Sequence, residues 1–156
     1  MTNDKYESEV ITDLVKALYK AKGSIRGPKK NKSNPAFKSS YANLEAVLEA
    51  VEGPAYDAGI IIIQLPISEE NEAGADTRLL HAPTGQFIGC RTTYKMRKGG
   101  PQDAGSCTSY ARRYQLLCMF GLAPVDDDDD GNRAQRRSSN DRPKRRTKGQ
   151  LQKESA

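Results

Sequence analysis

The chain has 156 residues, 36% of them hydrophobic and 29% charged, with a formal net charge of +5. That length allows one small domain and a remainder, and the apolar share is lean for a globular protein. The run "GIIIIQL" is far too short to cross a bilayer and "MTNDKYESEV" lacks the apolar core of a signal sequence, so a soluble cytoplasmic protein is expected.

Ile11, Leu14, Val15 and Leu18 recur at i, i+3, i+4 and i+7, which predicts an amphipathic helix over about 6–22, ended at Gly23. "KGSIRGPKKNKSNPAFKSS" follows without periodicity and reads as a loop. Leu44, Val47, Leu48 and Val51 predict a second helix with Asn43 or Ser40 as its cap. Gly53-Pro54 should break or restart it, because proline suits a first turn and not an interior.

"GIIIIQLPI" is a β-branched run and reads as a buried strand. The acidic "SEENEAGAD" reads as a connection, and "TRLLHA" and "QFIGCRTTYKM" form a hairpin about "PTG". In the last strand Ile88, Cys90, Thr92, Tyr94 and Met96 point one way and Arg91, Thr93 and Lys95 the other, giving a dry face and a basic face. After the glycine-rich "RKGGPQDA", Pro101 suits the start of a long helix that stops near Gly121. On it Cys107, Tyr110, Ala111, Tyr114, Leu117 and Cys118 make an apolar side. Thr108, Ser109, Arg112 and Gln115 lie opposite, with Arg113 on the flank.

The order, two helices, three strands and a helix, is an α+β domain with helices on one face of a three-stranded antiparallel sheet. The domain is expected over 1–124. Residues 125–156 hold too few apolar groups to offset the entropy of ordering them and are expected to be a disordered tail, acidic at first and then basic.

No catalytic constellation is legible. The single His81 sits in a strand, where it is structural or exposed, and there is no P-loop, GxSxG or HExxH. The chain therefore reads as no enzyme, with no cofactor beyond Mg²⁺ as a modulator. Asp126, Asp128, Asp130 and Gly131 match the opening of a Ca²⁺ loop, but Arg137 stands where the bidentate Glu belongs, so a solvated acidic linker is the plainer reading. The three cysteines show no CxxC spacing and suit a reducing compartment.

Basic residues carry the strongest signal. Six Lys/Arg and no acid lie from Lys22 to Lys38, and eight Lys/Arg against one Asp from Arg133 to Lys148. Such clusters without an amphipathic face favour nucleic acid over membrane. Lys29, Lys30, Lys32 and Lys38 share a loop with Phe37 and Tyr41, Arg91 and Lys95 a strand, Arg97 and Lys98 the next loop, and Arg112 and Arg113 a helix. Lysines neutralise phosphates, while Phe37 and Tyr41 can stack on unpaired bases or else cover the second helix. Tyr110 and Tyr114 read as core.

Two blocks, "NPAFKSSYANLEAVLEAV" (34–51) and "GSCTSYARRYQLLCMFGLAPVDDDDDGN" (105–132), resemble the ERF family of phage essential recombination function proteins. The first is carried by Asn34, Pro35, Phe37, Lys38, Ser39, Tyr41 and Leu44. The second is carried by Gly105, Ser106, Ser109, Tyr110, Arg112, Arg113, Tyr114 and the aspartates, with Ser109 where Thr is common. The resemblance implies a β-β-β-α core and a protein that binds single-stranded DNA, assembles into rings or filaments, and anneals complementary strands without ATP. A phage exonuclease or a host single-strand binding protein is a further candidate partner, in the bacterial host cytoplasm. Within it Arg112 is expected to anchor phosphate or bridge subunits and Arg113 to brace the helix against the sheet or a neighbour, in that order or reversed. The competing reading pairs both arginines with acids such as Glu45 or Glu49. Rival functions are a non-annealing single-stranded DNA or RNA-binding module, an Asp-dependent nuclease and an adaptor.

Overall fold

Ala73, Ala75, Thr77 and Leu79 are each 0% exposed, a period-two burial that marks one covered face of a strand. That strand is the middle of the sheet around which a computed structural model builds the domain, describing residues 6–34 and 39–123. Expectations for Phe37, Lys38, the Asp126–Asp130 run and the tail lie outside the described residues.

The elements run α1 (Thr12–Ser24), β1 (Lys32–Asn34), β2 (Ser39–Tyr41), α2 (Leu44–Asp57), β3 (Ile60–Ser68), β4 (Glu72–His81), β5 (Phe87–Lys95) and α3 (Pro101–Met119). The strands β3, β4 and β5 form an antiparallel sheet in that order. The α+β architecture with a β-β-β-α core is as the sequence suggests.

One sheet face carries Ile60, Ile62, Gln64, Leu79, Thr77, Ala75 and Ala73, with Ile88, Cys90 and Tyr94 beside them by register. Against its Ile60–Leu79 end pack Leu14 of α1, Val47 and Val51 of α2, and Leu116, Leu117 and Phe120 at the end of α3. Fully burying each of the larger side chains contributes about 1.5–3 kcal/mol. The small Ala73 and Ala75 let α3 lie close over β4.

Several boundaries differ from expectation. The first helix starts at Thr12 and not near residue 6, because the preceding segment adds to the edge of β5. Glu7 bridges Ile88, and the Gly89 N–H donates to the Tyr6 carbonyl at 2.6 Å. Unpaired backbone groups on a sheet edge attract such pairing. The first turn of α1 has no capping side chain of its own, and Gln86 supplies one: its Oε1 accepts from the Asp13 and Leu14 N–H groups at 2.9 and 3.0 Å. The expected loop between the first two helices contains the β1–β2 hairpin. Helix α2 continues through Pro54 to Asp57. Val51 and Ala55, both buried, hold the turns on either side of the proline against the core, which offsets the one backbone bond lost. Asn43, and not Ser40, caps α2, its Oδ1 accepting from the Ala46 N–H at 3.0 Å.

The isoleucine run is not buried on both sides. β3 is an edge strand, which is where Pro66 is tolerated, and Ile61 and Leu65 are 45% and 56% exposed on the face away from the helices. "EAGAD" belongs to β4 and not to a connection, its small residues being what a tightly covered strand requires. Helix α3 ends at a left-handed Gly121 (φ 59°), with the Leu122 N–H reaching back to the Leu117 carbonyl at 2.7 Å.

Candidate nucleic-acid interface

Helix α3 meets the sheet through polar groups. Gln115, 4% exposed, donates from Nε2 to the Ala75 carbonyl at 2.8 Å and to the Cys90 carbonyl at 3.3 Å. Its Oε1 accepts from the Thr77 hydroxyl at 2.5 Å. Gln64 of β3 donates to Thr77 Oγ1 at 2.9 Å and to the Arg112 carbonyl at 3.2 Å, and its own Oε1 accepts from Arg112 Nε at 2.9 Å. The ring of bonds is closed: among the described residues no buried side-chain polar atom lacks a partner.

This corrects the expected faces of the helix in part, since Ala111 and Leu117 are buried as expected. Gln115 and Arg112, assigned to the solvent side, turn to the sheet, while Cys118, assigned to the apolar stripe, is exposed. Of the two arginines it is Arg112 that braces α3 against the sheet. A helical pattern of apolar residues cannot reveal a buried face built from amides whose bonds are all satisfied.

Arg113 turns the other way, into a group of tyrosines. Its guanidinium carbon lies 4.8 Å from the ring centroid of Tyr41, 4.8 Å from that of Tyr114 and 5.2 Å from that of Tyr110. Its Nη1 donates to the Ala42 carbonyl at 3.3 Å, tying β2 to α3. Each cation–π contact contributes roughly 0.5–2 kcal/mol. Neither arginine meets a carboxylate among the described residues, whose side-chain ion pairs include Lys16–Asp13, Arg78–Asp76 and Arg91–Glu69. Pairing with Glu45 or Glu49 is therefore not what holds them.

The aromatic group extends toward β5. Tyr110 and Tyr114 lie 4.4 Å apart, and Tyr94 meets Tyr110 edge to face at 5.4 Å. Burial first, then the neighbouring Tyr110, push the Tyr114 phenol up to about 12, and the same two causes in the same order raise Tyr94. These rings are neutral throughout the physiological range. Tyr110 was expected in the core, yet it is 47% exposed.

The basic residues divide accordingly. Lys32 pairs in register with Tyr41, so the exposed lysine loop of Lys29, Lys30 and Lys32 adjoins the Arg113 group. A reciprocal pair fastens that loop to the start of α2, Asn31 Nδ2 donating to Asn43 Oδ1 at 2.8 Å and the Asn43 N–H to Asn31 Oδ1 at 3.1 Å. At the other end, Lys95, Arg97 and Lys98 follow Tyr94, and the Asp103 carboxylate accepts from the Lys98 N–H at 2.7 Å and fixes this turn. Arg91 stands apart on the opposite sheet face, paired with Glu69 and in register with Asp76. That face is mixed in charge and not the basic one expected: Glu72 stands opposite Lys95 and accepts from the Thr93 hydroxyl at 2.6 Å.

The site is thus a track: Lys32, Tyr41, Arg113, Tyr110, Tyr94, then Lys95 and Arg97. The family model described as the ERF superfamily matches residues 14–156 of the chain. The chain belongs to the ERF superfamily. ERF proteins act in recombination of the phage type as single-strand annealing proteins that bind single-stranded DNA, and they are in general non-catalytic. Comparison with curated proteins and with solved structures gave no match. Both ERF-like blocks contribute to the track, Tyr41 from the first and Tyr110, Arg113 and Tyr114 from the second. Gln64, Thr77, Gln115 and Tyr94 were missed as functional positions, and the only sequence signal for them was the run of small residues at Ala73 to Ala75 that invites a close helix. No group of three or more His, Cys, Asp or Glu side chains that could hold a metal occurs among the described residues, and none of their helices is long and apolar enough to cross a membrane.

Proposed function

We propose that the chain is a non-catalytic, ATP-independent annealing protein that holds single-stranded DNA along the track from Lys32 to Arg97 and works as a ring or filament of identical subunits. The observation that carries this reading is the interleaving of cations with aromatic rings: exposed Lys32 beside Tyr41, half-buried Arg113 among Tyr41, Tyr110 and Tyr114, and exposed Lys95 and Arg97 at the cavity lined by Tyr94 and Tyr110. Such a surface attracts a sugar-phosphate backbone without selecting a sequence. An annealer needs only this, since pairing is driven by the bases themselves and no bond is made or broken by the protein.

Assembly is supported by the sheet. The outer edge of β3 has no strand partner among the described residues, and Ile61 and Leu65 stand exposed beside it. A head-to-tail contact through such an edge generates rings or filaments. The place of action is the bacterial host cytoplasm, with Mg²⁺ at most a modulator and a phage exonuclease or host single-strand binding protein as the further partner.

The test mixes two complementary labelled oligonucleotides with the protein in the absence of ATP and follows pairing with time, against non-complementary strands. Acceleration confined to the complementary pair is expected. Binding without acceleration would reduce the protein to a strand-coating module.

A further inference from the structure

Between the end of β5 and the first turns of α3 lies an open cavity of about 440 Å³, within the range of about 300–1,000 Å³ usual for small-molecule sites. Tyr94 and Tyr110 form its aromatic side, Ser106 and Cys107 line the helix side, and Lys95 and Arg97 stand at its rim. Tyr110 is held from behind by Arg113 at 5.2 Å and Tyr114 at 4.4 Å, and in spite of these neighbours it remains 47% exposed. The one acidic group in the lining, Asp103, is engaged by the Lys98 N–H at 2.7 Å and holds the turn that carries Arg97.

We infer that this cavity takes one nucleobase of the bound strand, stacked on Tyr110, while Lys95 and Arg97 neutralise its flanking phosphates. The inference rests on the proposed single-strand binding and adds to it a division of labour among the bases. One base per protomer is withdrawn as an anchor, and the others stay presented for pairing. Aromatic walls accept any base face, so the anchor carries no sequence preference. Cations at the rim match a phosphodiester and would not be needed by an apolar peptide. Pre-organisation favours the site: Arg113 and Tyr114 fix the ring of Tyr110, so little side-chain entropy is lost when a base arrives.

The experiment compares the full chain's affinity for oligothymidylate with that for an abasic strand of equal length and charge, at one salt concentration. The wild-type protein is expected to prefer the thymidine strand by about 5- to 150-fold, the range that one stacked base contributes. Tyr110→Ala should lose most of that preference, and Tyr110→Phe should keep it. Ser106→Leu, at an exposed position on the cavity lining, fills the space while leaving both tyrosine rings in the chain and should also remove the preference, which keeps the test decisive where Tyr110→Ala does not fold. Equal wild-type affinity for the two strands overturns the inference, as does a preference that survives in Ser106→Leu. Failure to bind either strand would instead sink the proposed function itself.

Discussion

The Thr77 hydroxyl donates to the Gln115 amide oxygen at 2.5 Å where α3 crosses the middle strand, and both residues are buried. Each is also bonded elsewhere, Thr77 to Gln64 and Gln115 to the Ala75 and Cys90 carbonyls. Removing one partner leaves a buried group unsatisfied, which costs about 1–3 kcal/mol, whereas removing both costs less than the sum. Thr77→Val and Gln115→Leu are each expected to lower urea stability by that amount. The double variant should fall short of additivity by at least about 0.5 kcal/mol. Additive losses would mean that the bond does not couple helix to sheet.

Gly74 answers a different constraint. A Cβ built there would lie 1.9 Å from the Thr92 carbonyl oxygen and 2.8 Å from the Thr93 Cα, both of them backbone of the neighbouring strand. Neither can move aside without opening β4 from β5. Gly74→Ala should therefore destabilise by at least about 1–3 kcal/mol, the usual cost of overpacking. Hydrogen exchange should accelerate first around Thr92 to Tyr94, and retained protection there would contradict the geometry.

Alkaline titration reads the tyrosine group. The Tyr114 phenol is raised to about 12 and Tyr94 is raised as well, in each case by burial first and Tyr110 second. A folded-state value above the unfolded one, about 10 for tyrosine, favours the neutral ring. The stability it contributes is fully present below pH 10 and is lost as pH rises toward 12. With no tryptophan among the residues, phenolate absorbance can be followed directly. Tyr94 and Tyr114 should ionise late, and in Tyr110→Phe both should move back toward the ordinary value.

The three antiparallel strands and the three long helices were legible because they follow from residue type in sequence: β-branched runs and i to i+7 spacing. What stayed hidden depends on partners distant in the chain. Gln86 caps a helix through the N–H of Asp13, 73 residues earlier, and the extended segment at Tyr6 to Ser8 leaves the helical pattern only because β5 offers an edge. Gln115 looks like a surface residue until Thr77, 38 positions away, is placed against it. The role of Tyr110 was hidden by its helical spacing, which matches a core stripe as well as a ring exposed at its margin.

Arg112 and Arg113, adjacent in sequence, should part company when substituted. Arg112 spends its Nε on Gln64, so Arg112→Ala frees an amide at the helix–sheet seam and is expected to act on stability, by about 1–3 kcal/mol. Arg113 gathers Tyr41, Tyr110 and Tyr114 around one guanidinium, so Arg113→Ala should loosen the rings and weaken single-strand binding together. Lysine keeps the charge but not the planar stacking face, and Arg113→Lys should recover only part of the affinity. Lys32→Ala and Arg97→Ala, both at exposed positions, should leave stability unchanged and flatten the salt dependence of binding by about 0.7 for each phosphate no longer neutralised. Measured side by side, urea midpoints and salt slopes separate the three behaviours. An Arg112→Ala protein of normal stability that binds DNA poorly would move the phosphate contact from the tyrosine track to the seam.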